Sequence, residues 1–279
     1  MSDEPRIVAP DGLYTPEIKR HSLEKIRLHN RYAAIFATAM RPQWKQLAYI
    51  GLYSGAGHAN VAGTSDVVET SALSVLRQQV PFTDYIYVDR ELSCVEALRT
   101  RAEPLRQSAN VTILHADVNT SAAAVRAALP KFSKNNGLLS CCFVDPFDLQ
   151  LQFETIRALG DLRMDFLVLL MLGVDARRNI DQYRRAESPD RIGQLIDCPD
   201  WRTKYPSNRK IVTNLLGEFD QAMQRLKYLS ASDDDVHYIK IPGMGVMLYV
   251  LAFYSKSRLG KKFWRETRSS LNPQLGLNL

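Results

Sequence analysis

Four apolar runs of this 279-residue chain end on side chains that can do chemistry. "YIGLYSGAG" (Tyr49 to Gly57) closes on Gly55 and Gly57, which permit a tight turn and a close approach of backbone to a ligand. "DYIYVD" closes on Asp89, placed to accept hydrogen bonds from ribose hydroxyls, and "NVTILHAD" closes on Asp117, placed to accept from an exocyclic amine. "GLLSCCFVDPF" closes on Asp145, Pro146 and Phe147, a carboxylate beside a rigid turn and an aromatic ring, suited to orienting an acceptor nitrogen. Acidic residues also end strands simply because they cap the next helix, and Asp-Pro is a common turn former. The order of the four ends carries the cofactor-pocket reading; no single member does.

Such groups converge only if the runs are strands of one sheet. Leu47 to Tyr53, 84–89, 110–117, 137–147 and "MDFLVLLML" alternate with helical spacings at "TSALSVLRQQV", "ELSCVEALRTRAEPLRQ", "NTSAAAVRAALPKF" and "FETIRALGDL". Strands alternating with helices predict a parallel sheet covered on both faces. Residues 16–41 space Ile26, Tyr32, Ile35, Phe36 and Ala39 as an amphipathic helix, within an N-terminal helical extension of residues 1–45; a loop is expected from 58 to about Glu69. Near the other end, "VHYIKIP" and "VMLYVLAFYS" are separated only by Gly243, Met244 and Gly245, too short for a parallel crossover, so they form an antiparallel hairpin. The expectation is one α/β domain over residues 1–279: a Rossmann-like, mostly parallel seven-stranded sheet with an antiparallel last strand. That plan is the one used by class I S-adenosylmethionine-dependent methyltransferases.

Residues 173–233 form a long helical insert between strands five and six, leaving the carboxyl edge of the sheet where ligands of open α/β folds bind. The chain carries a net charge of +6, concentrated in "WRTKYPSNRK" (Arg202, Lys204, Arg209, Lys210) and "SKSRLGKKFWRETR" (Lys261, Lys262). Trp201, Tyr205, Phe263 and Trp264 interleave with these cations, as phosphate contact plus base stacking requires, and equally as solvated helix faces with core-facing rings require. Cys94, Cys141, Cys142 and Cys198 make neither a disulfide framework nor a C-x-x-C pair, and the five histidines show no metal spacing, so no structural metal is expected. With no apolar run near the roughly 18 residues that span a bilayer and no basic-then-apolar leader, the expected location is the cytoplasm, away from membranes.

The triplet at Asp145 is similar to the N/D-P-P-Y/F signature of amino-methyltransferases, with one proline fewer. More broadly the chain resembles the three-Cys-motif partner proteins, through "HSLEKIRLHNRYAAIF", "YIGLYSGAG", "TSALSVL", "YVDRELSCVEALRTR", "FVDPFDLQLQFETI" and "LYVLAFYSKSRLGKKFW". The resemblance implies a methyltransferase-like protein using S-adenosylmethionine, and a protein partner bearing a three-cysteine, radical-S-adenosylmethionine-like motif. Gly51 stands where that family's "YIDLFAGPG" has an aspartate, removing a partner for the cofactor's ammonium worth about 1–3 kcal/mol. Its "DPFG" is here "DPFD", so Asp148 either perturbs Asp145 or caps the next helix. The leading functional expectation is methylation of nucleic acid; the alternative is a catalytically silent module of the same fold that binds nucleic acid or a protein, in defence against foreign DNA.

Overall fold

Buried strands betray themselves by being apolar at nearly every position, and in the computed structural model Gln46–Leu52, Leu138–Val144, Met164–Leu170 and Met247–Tyr254 are buried almost throughout. The structure describes residues 9–105, 109–131, 137–185, 189–241 and 243–270. Arg106, Gln107, Phe132, Ala186 and Pro242, which fall at the margins of segments expected above, lie outside them, as do residues 1–8 of the N-terminal extension.

In chain order the described strands are β1 (Glu17–Ile18), β2 (Gln46–Leu52), β3 (His58–Val61), β4 (Val67–Glu69), β5 (Asp84–Asp89), β6 (Asn110–His115), β7 (Leu138–Val144), β8 (Met164–Leu170), β9 (Val236–Lys240) and β10 (Met247–Tyr254). The main sheet runs β6-β5-β2-β7-β8-β10-β9. Pairing from β6 through β8 is parallel, and β10 is antiparallel to both neighbours. This is the class I methyltransferase-like arrangement expected from the sequence, with only the last strand reversed. Gly243 and Gly245, at φ 77° and 64°, turn the closing hairpin.

Side-chain alternation divides the interior into two cores. One face of the sheet (Ile50, Val88, Val144, Phe166) packs on α4 (Ala122–Ala128), α5 (Phe153–Leu159) and the insert helices α6 (Ile180–Tyr183), α7 (Arg191–Ile196), α8 (Trp201–Lys204) and α9 (Ile211–Arg225). The other (Tyr49, Tyr87, Phe143, Phe253) packs on α1 (Ser22–Met40), α2 (Ser71–Leu76), α3 (Leu92–Ala102) and α10 (Arg258–Ser269).

Two expectations are corrected. The helix expected over 16–41 starts only at Ser22, because Glu17 and Ile18 pair with Asn60 and Val61 instead. The loop expected up to Glu69 contains β3 and β4, which with β1 make a small second sheet. Among the described residues, no helix is long and apolar enough to cross a membrane.

Candidate functional site

Successive crossovers leave β2 toward β5 and leave β7 toward β8, so the chain diverges at the carboxyl ends of β2 and β7 and opens a crevice there. The turn after β2 is built from left-handed residues: Tyr53 at φ 61°, Gly55 at 64° and Gly57 at 84°. A Cβ on Gly57 would lie 2.8 Å from Leu73, so packing as well as backbone demands glycine; at Gly55 that direction is open for 4 Å, leaving room for another molecule. Tyr53 is the exception, since a bulky side chain in this region costs roughly 1–2 kcal/mol. The twist carries its ring out of strand alternation and onto the core beneath the insert.

Asp89 first serves the turn. Its Oδ2 accepts from the Gly55 N–H at 2.7 Å and its Oδ1 from the Glu91 N–H at 3.0 Å, and each oxygen keeps a further lone pair for a hydroxyl. Arg101, buried below the turn, donates to Ala56 O at 2.8 Å, to Tyr14 O at 3.0 Å and to Thr15 Oγ1 at 2.8 Å, and grips Asp11 at 2.8 and 2.9 Å. That guanidinium holds the Asp11 carboxyl down at about 2.

The Tyr53 hydroxyl is buried with no hydrogen-bond partner among the described residues. Burial first, then the charges of Asp117 and Asp148, push its pKa up. Asp148 has the complementary defect: Oδ2 faces Arg191 at 3.4 Å, while Oδ1 is buried without a partner. It caps no helix, because α5 begins after Gln152. Asp117 is exposed and accepts from the Asn119 N–H at 2.8 Å, so it does cap the following turn.

Across the crevice, the Asp145 N–H donates to Leu52 O at 3.2 Å, and Lys25 of α1 reaches both carboxylate oxygens, at 2.6 and 2.8 Å. The two side chains are 13% and 18% exposed. Pro146 is buried, and the Phe147 ring beside it is 87% exposed, a large apolar face offered to solvent at the rim. A Cβ at Gly51 would fall 3.0 Å from Tyr87 Cδ1 and 3.4 Å from Tyr49 Cε1, so these rings fill the place where the resemblance puts a carboxylate. The Tyr49 hydroxyl lies 2.9 Å from His29 Nε2, and burial lowers His29 to about 4, which keeps this ring neutral.

Lys25 escaped sequence reasoning because its partner is 120 residues away and a lysine beside Ile26 on an amphipathic helix reads as surface. Arg101 escaped for the same reason.

The basic candidates separate. Helix α9 ends near Tyr228, whose hydroxyl donates to Met164 O at the start of β8, so its first turn points toward the carboxyl edge, carrying exposed Arg209 and Lys210 there. Arg202 contacts Tyr183 O at 3.0 Å and Asp190 at 3.2 Å, and Lys204 pairs with Glu218 at 2.8 Å. Lys261 is buried against Asp235 at 2.9 Å, and exposed Lys262 lies on α10, which starts from the amino edge of the parallel strands, opposite the crevice. Trp201 and Trp264 are fully buried, so these rings serve the core and present no stacking face. Exposed Arg177 and Arg178 follow the π-turn (Leu172–Ala176) at the carboxyl end of β8, a basic contribution from the insert to the crevice side.

A scan against protein-family models and a search of curated proteins found no match. Among solved structures, the chain is similar to a protein of Legionella pneumophila str. Philadelphia 1 (11% identity, 88% of this chain and 91% of that one, TM-score 0.49). It is also similar to M. jannaschii TYW2 in complex with AdoMet (9% identity, 85% and 77%, TM-score 0.39). A third is the O-methyltransferase from Bacillus cereus in complex with SAH (10% identity, 91% and 84%, TM-score 0.45). The fold rests on this chain's own strand order and directions: a Rossmann-like sheet with one reversed strand and a crevice between the ends of β2 and β7.

Proposed function

We propose that the crevice binds S-adenosylmethionine and that the chain transfers its methyl group to nucleic acid. The observation that carries the cofactor reading is the pair of buried oxygens without partners, Tyr53 Oη and Asp148 Oδ1, beside a turn that leaves space at Gly55. A nucleoside supplies what both lack, since an exocyclic amine donates and ribose hydroxyls donate and accept. Asp89 would take the ribose hydroxyls, and Asp117 and Asp148 the adenine amine, with Gly55 and Gly57 shaping the approach. When bound, the cofactor supplies an electrophilic methyl group.

The chain's own contribution is alignment, which in-line transfer needs more than acid–base help. Pro146 fixes the turn at the end of β7, and Phe147 offers its exposed ring to the acceptor. Net charge +6 and the exposed Arg177, Arg178, Arg209 and Lys210 support a polyanionic acceptor. A three-cysteine, radical-S-adenosylmethionine-like protein remains the partner that the sequence resemblance implies, to be sought by co-purification.

Calorimetry tests the cofactor: S-adenosylmethionine gives heat with the wild type and far less with Asp89→Ala, and no heat with the wild type rejects the reading. A second reading is favoured by the filled space at Gly51 and by Lys25 closing on Asp145: the same fold as a silent module binding nucleic acid or a protein. Binding of cofactor without label transfer to DNA or RNA from methyl-tritiated donor would select it.

A further inference from the structure

The geometry points to Lys25 and Asp145 as a clamp for the zwitterionic α-amino-acid end of the cofactor, with Lys25 taking its carboxylate and Asp145 its ammonium. The inference rests on reading the crevice as an adenosyl-cofactor pocket.

Three observations carry it. First, a Cβ on Gly51 would meet the Tyr87 and Tyr49 rings, so no carboxylate at the end of β2 can serve the ammonium, and the charge must be met elsewhere. Second, the crevice has two sides: Tyr53 packs on the core beneath the insert and Asp148 faces Arg191 of α7, while Asp145 shares the opposite side of the sheet with Phe143 and is held by Lys25 of α1. An adenosyl group on the first side leaves its amino-acid end facing the second. Third, Lys25 and Asp145 are a charge pair at hydrogen-bond distance, 2.6 and 2.8 Å, mostly buried yet partly open to solvent.

Swapping a zwitterion into an ion pair keeps every charge compensated. One internal pair becomes two intermolecular ones, so neither Lys25 nor Asp145 is left buried and alone, the outcome that makes breaking such pairs expensive. The Tyr249 ring lies 6.0 Å from Lys25 Nζ and borders that side chain.

The test compares S-adenosylhomocysteine with 5′-methylthioadenosine, which lacks the amino-acid end, by calorimetry on wild type, Lys25→Met and the double variant Lys25→Met/Asp145→Asn. The double variant removes both charges together, so it retains the fold if the single one melts early. The expected result is a loss of about 10- to 100-fold for S-adenosylhomocysteine in both variants, one or two charge-assisted hydrogen bonds' worth, with methylthioadenosine affinity unchanged. Equal weakening of the two ligands, or no weakening of S-adenosylhomocysteine, overturns the clamp and leaves the pocket reading standing. Failure of the wild type to bind either ligand overturns both.

Discussion

Asp165, second residue of β8 at the amino edge of the sheet, is buried and accepts from the Tyr32 hydroxyl at 2.7 Å. Burial raises its pKa from 3.8 to about 6 even though bonds from Ser255 and Tyr32 pull the other way. At about 1.4 kcal/mol per pH decade, ionising it costs the native state roughly 3 kcal/mol more than the unfolded chain. The unfolded carboxyl loses its proton first as pH rises, so stability from this group is whole below about pH 4, falls between 4 and 6, and is constant above. Asp165→Asn keeps the shape and an acceptor for Tyr32 and removes the charge. Urea unfolding of both proteins from pH 4 to 7.5 should therefore show the variant gaining roughly 3 kcal/mol on the wild type across that window. A difference that stays level from pH 4 to 7.5 would refute the reasoning. His29 acts in the opposite sense: lowered from 6.5 to about 4, it costs the native state stability as pH falls through that range, by roughly 3 kcal/mol. The two slopes oppose each other in the wild type, and Asp165→Asn exposes the acid lability of His29.

Tyr53→Phe removes a buried hydroxyl without a partner, so the free protein should melt higher, by about 1 kcal/mol, while the thermal shift given by S-adenosylhomocysteine shrinks. Arg209→Glu with Lys210→Glu should weaken single-stranded nucleic-acid binding and flatten its log–log salt dependence by about 1.4, whereas Lys262→Glu on the far edge leaves both alone; equal effects would remove the carboxyl-edge assignment. Arg101→Met should cost about 2 kcal/mol, by taking the donor from the buried Ala56 carbonyl and Thr15 hydroxyl and releasing residues 11–15, and limited proteolysis should then cut near that segment first.

The strands were legible because burial on both faces writes itself as unbroken apolar runs: "DYIYVD" is β5 to the residue. The reversed strand was legible because Gly243 to Gly245 leave no length for a crossover. What stayed hidden depends on partners distant in sequence. Glu17 and Ile18 join a strand only because Asn60 and Val61 lie beside them, and two-residue pairings leave no periodicity. Trp201 and Trp264 look the same in sequence whether they stack on bases or fill a core, and burial decides. The Tyr53 ring leaves the face that alternation assigns it because of one positive φ, and Lys25 joins the site through the turn of α1 over β7.

The sheet is a wall between two rooms, with Met171 packing into both at the margin. A volume change in the insert helices repacks one room and a change in α1 or α10 the other, so their costs to stability should add.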